Sequence, residues 1–311
     1  MNYYLAPMEG VTGYVFRSVY HQCFPAMDKY FTPFLSPNAD GKLSPREYQD
    51  LDPEHNQGMH VVPQILTHSA GDFIRTAKTL ISMGYDEVNF NLGCPSGTVV
   101  SKGKGSGFLA FPEKLNACLY EIFSRLEMKI SIKTRIGKEQ PEEFEQLLEI
   151  YNQYKMEELI IHPRVQKDGY KNTPCLPAFR YAYEKSTNPL CYNGDIYRAE
   201  DKEKIMQQFP KLPAVMLGRG IVSNPGLLQC FSAPDGVCSV SKEQLEEFHH
   251  RLYEAYCRAY LHVSGPKVVL FKMKEIWCYL SVSFGGESKA VKKIKKAQNL
   301  KEYEDAVRSL F

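Results

Sequence analysis

The run Asn89-Phe-Asn-Leu-Gly ends in Cys94, and Pro95 and Ser96 follow at once. It reads as the end of a buried strand that delivers an amide side chain and then a thiol. Gly93 permits a bend there, while Pro95 removes a donor and keeps Cys94 out of the α region. A thiol held at the mouth of a strand can act as proton donor or nucleophile. A lone cysteine is otherwise a small buried hydrophobe. The other polar residues that close apolar runs decide between these readings. In chain order they are Ala6-Pro-Met-Glu-Gly, Pro63-Gln64, Lys133-Thr-Arg135, His162-Pro-Arg164, Asn193-Gly-Asp195 and Gly218-Arg219-Gly220.

Positioning these residues requires a repeated element. Short apolar runs at Tyr3–Ala6, Tyr30–Thr32, Val61–Leu66, Glu87–Asn91, Lys129–Thr134, Glu158–His162, Leu190–Tyr192 and Ala214–Leu217 read as strands. Helical patterns lie between most of them, clearest at Ala70–Met83, Pro112–Arg125, Pro141–Tyr154, Pro177–Glu184 and Arg198–Gln208. Ser69 suits an N-cap and Pro141 a first helical turn. Eight strands alternating with helices predict an α/β fold, a parallel (β/α)8 TIM barrel, over residues 1–231. A Pro/Asp/Gly-bearing stretch at 232–243 reads as a linker, and 244–311 as a small all-α C-terminal domain. In that domain Leu252, Tyr256 and Tyr260 form one stripe and Phe271, Ile276 and Leu280 another, both read as core.

On a barrel, polar residues at strand C-termini read as active-site residues, and the loops after strands seven and eight commonly bind phosphate. Asn193-Gly194 and Gly218-Arg219-Gly220 offer backbone N–H groups there, and Arg219 adds a charged fork. Lys133 has two chemical readings, stabilising negative charge on a reduced flavin ring or forming a Schiff base, beside a plain rim salt bridge. His162 suits a bond to a ring or a base, or a structural role. Gln64 matches an edge bearing both N–H and C=O groups. The segment Val99 to Gly107, rich in Gly and Lys, lacks the P-loop spacing and reads as a mobile basic loop behind Cys94.

Composition narrows the class. The chain has 311 residues, 43% hydrophobic and 24% charged, as in a globular protein. No apolar run approaches the roughly 18 residues of a membrane span, and the start lacks a basic leader. Nine cysteines without a Cys-x-x-Cys pair argue against a disulfide framework or a metal site, and for a reducing cytoplasm. Residues 240–311 hold thirteen Lys or Arg against nine Asp or Glu, a net of +4, which leaves −2 for the rest. Lys289, Lys292, Lys293, Lys295 and Lys296 cluster there, as a nucleic-acid contact or a solvated face.

The set resembles the tRNA-dihydrouridine synthase family. The resemblance rests on Ala6-Pro-Met-Glu-Gly-Val-Thr, Asn91-Leu-Gly-Cys-Pro-Ser, Lys102-Gly-Lys-Gly-Ser-Gly, Lys133-Thr-Arg-Ile-Gly, Ile161-His-Pro-Arg, Tyr192-Asn-Gly-Asp-Ile and Leu217-Gly-Arg-Gly, in family order. The tail matches only in length and helical character. The resemblance implies FMN-dependent reduction of specific tRNA uridines to 5,6-dihydrouridine with NADPH, in the cytoplasm, with no membrane and no obligate protein partner. It implies hydride delivery from flavin N5 to uracil C6 and protonation of C5 by Cys94. Pro7, Met8, Gln64, Lys133, His162, Asn193, Asp195, Gly218 and Arg219 would then hold FMN. Asn91, Arg135, Arg164 and Lys102 would hold the substrate, and the helical domain would bind tRNA. Rival readings are a small-molecule FMN-dependent ene or dihydropyrimidine reductase, a lysine aldolase using Lys133, and an RNA-binding protein without catalysis.

Overall fold

Side chains on a strand alternate between its two faces, so closing a sheet sends one set inward and the other under the helices. The computed structural model describes residues 1–37, 42–232, 240–286 and 288–311. It contains the strands β1 (Asn2–Leu5), β2 (Lys29–Phe31), β3 (Val61–Val62), β4 (Gln64–Ile65), β5 (Glu87–Leu92), β6 (Lys129–Arg135), β7 (Leu159–His162), β8 (Leu190–Asn193) and β9 (Ala214–Leu217). They pair in parallel in the order β3-β2-β1-β9-β8-β7-β6-β5-β4. β3 and β4 end that order yet are separated in the chain by Pro63 alone, so they are one strand that all but closes the barrel. Pro63 has no N–H for the ladder, but its carbonyl accepts from Asn89 N at 2.8 Å. All eight expected strands are present, the third in two pieces.

The inner face of most strands is apolar. Tyr4, Ala6, Phe31, Val62, Ile160, Cys191, Ala214 and Met216 form a separate buried cluster inside the barrel. The outer faces join the helices in the larger core, for example Phe90 of β5 on Phe73 at 4.9 Å between ring centres. Ser69 caps the helix Ala70–Ser82 by accepting from Asp72 N at 3.2 Å. The helix expected from Pro141 starts later, at Glu143. The Glu143 carboxylate gathers the N–H groups of Lys138, Glu139 and Gln140 at 2.7–2.9 Å, and so holds the preceding stretch as a turn.

After the barrel come the helices Lys242–Ser264, Pro266–Leu280, Lys289–Lys296 and Leu300–Arg308. The expected linker falls largely outside the described residues, and Ser241 caps the first tail helix with a bond from Gln244 N at 3.2 Å. The tail shares the barrel's core: Phe248 meets Phe16 and Phe24 edge-on at 5.9 and 5.4 Å. Leu252, Tyr256, Ile276 and Leu280 are buried as read from their spacing. Phe271 is not, being 65% exposed, because its helix buries Val269, Leu270, Met273, Ile276 and Trp277 on the opposite side. Cys230 is disulfide-bonded, while Cys23, Cys94, Cys118, Cys175, Cys191, Cys257 and Cys278 are free. Among the described residues no helix is long and apolar enough to cross a membrane.

Candidate active site

Parallel strands deliver their C-terminal residues to one rim, and a cavity of about 590 Å3 opens there. Pro7, Met8, Gln64, Asn91, Cys94, Lys133, His162, Asn193, Asp195, Gly218 and Arg219 line it together. They come from seven different strand ends. Lys102, Arg135 and Arg164 lie outside this lining.

Cys94 sits in a folded support rather than on a mobile loop. Its carbonyl accepts from Ser106 N at 3.1 Å and Ser106 Oγ at 2.8 Å. The segment read as mobile forms the helix Gly97–Val100 and a 3-10 turn, Gly105–Ala110, whose Gly105, Ser106 and Gly107 are buried. The glycine this support needs is Gly105. Its φ is +56° and an added Cβ would lie 2.7 Å from the Cys94 carbonyl, whereas one on Gly93 would meet only an ordinary 3.5 Å contact. Gly105→Ala is therefore expected to lose about 1–3 kcal/mol of stability, from strain and overpacking together, as a lower thermal midpoint checks. Burial holds the Cys94 thiol above its usual pKa, and the backbone N–H of Ser96, Lys133 and Arg135 offset this only in part. Cys94 is thus a protonated thiol at neutral pH.

Lys133 projects into the cavity with no hydrogen bond or ion pair among the described residues. Burial, then repulsion from Arg135, lowers its pKa to about 8. His162 Nε2 lies 2.8 Å from Arg164 Nη1, which can only donate, so the imidazole is neutral with its proton on Nδ1. Burial first, then Lys133, Arg135, Arg164 and Arg219, hold it well below the usual imidazole range.

The two arginines expected to touch substrate are each bonded to the protein through Nε and both Nη atoms. Arg135 donates from Nε to Gly93 O at 3.0 Å, and from its two Nη atoms to Val165 O at 2.9 Å and Gly169 O at 2.7 Å. It ties the Cys94 loop to the loop after β7. Arg164 donates to Asn172 O at 2.5 Å and grips both carboxylate oxygens of Asp195. Asp195 also accepts from Arg219 Nη2 at 2.6 Å, and it adopts a left-handed φ of 42° that Asp tolerates better than most residues. Lys102 is exposed on the supporting segment.

Several lining residues were not singled out from the sequence. Tyr170 carries the Arg219 guanidinium over its ring at 4.5 Å and Arg135 at 5.4 Å. Tyr197 takes Arg219 at 5.7 Å. Glu275 and Tyr279 reach the cavity from the tail helix Pro266–Leu280, four residues apart on the face that also carries Phe271.

The lining fits a flavin. The volume lies within the range of cofactor sites, roughly 300–1,000 Å3. The uncompensated Lys133 ammonium matches an anionic ring edge, and Gly218, Arg219 and Asn193 form a polar end suited to a phosphate.

Comparison with known proteins gives a family and a fold. The sequence model of the dihydrouridine synthase family matches residues 4–309. The chain is 24% identical over 259 residues to tRNA-dihydrouridine synthase B of Pasteurella multocida, covering 79% of this chain and 77% of that one. It is 29% identical over 240 residues to a probable tRNA-dihydrouridine synthase of Staphylococcus aureus, covering 71% and 68%. With probable tRNA-dihydrouridine synthase 2 of Bacillus subtilis it shares 26% over 278 residues, covering 86% and 83%. Among solved structures, the old yellow enzyme homologue of Zymomonas mobilis superposes with a TM-score of 0.51 at 11% identity, covering 79% of this chain and 95% of that one. Morphinone reductase in complex with tetrahydroNAD gives 0.50 at 11%, covering 79% and 93%. At that identity the likeness speaks for the barrel fold.

Proposed function

The chain belongs to the dihydrouridine synthase family, and from that premise we propose that it reduces specific tRNA uridines to 5,6-dihydrouridine, with FMN bound and NADPH as reductant. The observation that carries this reading is a protonated thiol, Cys94, sharing one cavity with an unpaired ammonium, Lys133. When bound, FMN supplies the hydride for the uracil double bond. Gln64, Lys133 and the neutral His162 border its ring, while Gly218, Asn193 and Arg219 hold its phosphate. Asp195 and Arg164 orient Arg219 from behind. Cys94 holds the proton that the C5 carbon takes up. Arg135 and Arg164 position loops in this scheme rather than contact the RNA.

The target base must leave its stack to enter the cavity, which costs a few kcal/mol and favours an already loose loop nucleotide. Exposed Lys289, Lys293 and Lys296 on the helix Lys289–Lys296 supply cationic surface for the RNA backbone. Affinity for tRNA should therefore fall steeply with salt.

Two measurements test the proposal. Purified protein should show the visible absorption of a bound flavin, and with NADPH it should form dihydrouridine in tRNA, read by nucleoside mass spectrometry. A colourless protein that binds no added FMN would overturn it. Turnover of free uracil or an enone at the rate seen with tRNA would favour the small-molecule reductase instead.

A further inference from the structure

Polar side chains form a column through the barrel interior beneath Cys94. At its base Lys29 of β2 bonds Glu158 at 2.7 Å and Glu87 of β5 at 3.1 Å. Ser131 Oγ of β6 donates to Glu87 Oε1 at 3.1 Å, and Asn89 Nδ2 donates to Ser131 Oγ at 3.0 Å. Gln64 Nε2 donates to Asn89 Oδ1 at 2.7 Å, and Asn91 Nδ2 to Gln64 Oε1 at 2.7 Å. The column ends where Asn91 Oδ1 accepts the backbone N–H groups of Gly93 and Cys94, both at 3.0 Å.

From Cys94 down to Glu87, every bond runs in one direction. The ends impose it: a carboxylate only accepts and a backbone N–H only donates. Reversing any one amide would set donor against donor on one side and acceptor against acceptor on the other. Bonds so aligned polarise and strengthen one another. The direction also decides what is left for a ligand: one amide hydrogen on Asn91, and one amide hydrogen and one Oε1 lone pair on Gln64.

We propose that Glu87 and Ser131, which lie beneath the cavity and do not line it, are positioning residues for Cys94. They orient the Asn89, Gln64 and Asn91 amides, and through them hold the backbone that carries the thiol. The same orientation leaves amide hydrogens of Gln64 and Asn91 at this edge of the cavity, with one Gln64 lone pair beside them, so the ligand edge placed there bears at least one acceptor such as a carbonyl oxygen. The effect on turnover rests on the function proposed above; the effect on the Cys94 loop does not.

The test compares the full-length, flavin-loaded protein with Ser131→Ala, Ser131→Thr and Glu87→Gln. One readout is the rate of Cys94 alkylation by iodoacetamide without RNA, followed on the Cys94 peptide by mass spectrometry. The other is kcat and KM for dihydrouridine formation in tRNA. Ser131→Ala is expected to change the alkylation rate severalfold and to lower kcat about tenfold, as for a misplacement of well under 1 Å, with KM near wild type. Ser131→Thr, which keeps the hydroxyl, restores both. Glu87→Gln keeps the shape but leaves the end amide able to donate, and it shifts both readouts as Ser131→Ala does. It also decides the matter if Ser131→Ala does not fold. Wild-type alkylation and wild-type kcat in the folded variants, even at reduced stability, would overturn the proposal. If wild-type protein itself forms no dihydrouridine, the function reading fails while alkylation still reports on positioning.

Discussion

Cys94→Ala protein is expected to keep its flavin and to oxidise NADPH, yet to lose uridine reduction by about 10²–10⁴-fold, the usual contribution of a positioned proton donor. Removal of the thiol leaves the rest of the lining in place, because the loop is held through its backbone: the carbonyl of residue 94 on Ser106 and its N–H on Asn91. The loss should therefore appear in kcat on tRNA and not in flavin content. Burial keeps the thiol above its usual pKa, so the donor stays loaded through neutral pH and empties only in alkaline solution. Counting dihydrouridine by mass spectrometry after single turnover checks the expectation. Wild-type yield from the alanine variant would remove Cys94 from the reaction.

The second large effect is expected from Lys133→Met. The side chain is nearly isosteric, so folding should survive, while the only ammonium among the described residues that line the cavity is lost. In a site shielded from water a fixed charge beside a developing anion is worth several kcal/mol, so reduction of uridine should slow by about 10²–10³-fold. The flavin midpoint potential should drop with it, since about 30 mV corresponds to 1.4 kcal/mol for a two-electron couple. The pH profile gives an independent reading. With a pKa of about 8, Lys133 is charged below that pH and neutral above it. Wild-type activity should decline as pH rises through that region, later if a bound anion raises the value. Lys133→Met should lack this limb and decline only where the Cys94 thiol ionises. An unchanged potential and an unchanged profile would assign Lys133 no electrostatic role.

The strand ends were readable because their information is local. Alternation with period two marks each strand, and the polar residue that closes it must reach the rim whichever strands become neighbours. That logic found eleven of the cavity's lining residues, from Pro7 to Arg219, and the family motifs hold all of them but Gln64. It does not reach the partners that a side chain finds elsewhere in the chain. Arg135 and Arg164 share the sequence position of substrate ligands, and each is also bonded to the protein, through carbonyls of Gly93, Val165, Gly169 and Asn172 and the Asp195 carboxylate. The stretch from Val99 to Gly107 has the composition of a mobile loop, and becomes a support because Gly105 can approach the Cys94 carbonyl.

By itself the sequence determined a parallel barrel, the rim its chemistry occupies and the residue types that meet there, since pleat and strand direction follow from neighbours along the chain. Tertiary structure alone decided which cations remain available to a ligand, which way the amides under Cys94 point, and that Glu275 and Tyr279 of the tail border the cavity. Those outcomes depend on hydrogen-bond partners brought together from distant segments, and a donor's availability is a property of the whole set of partners.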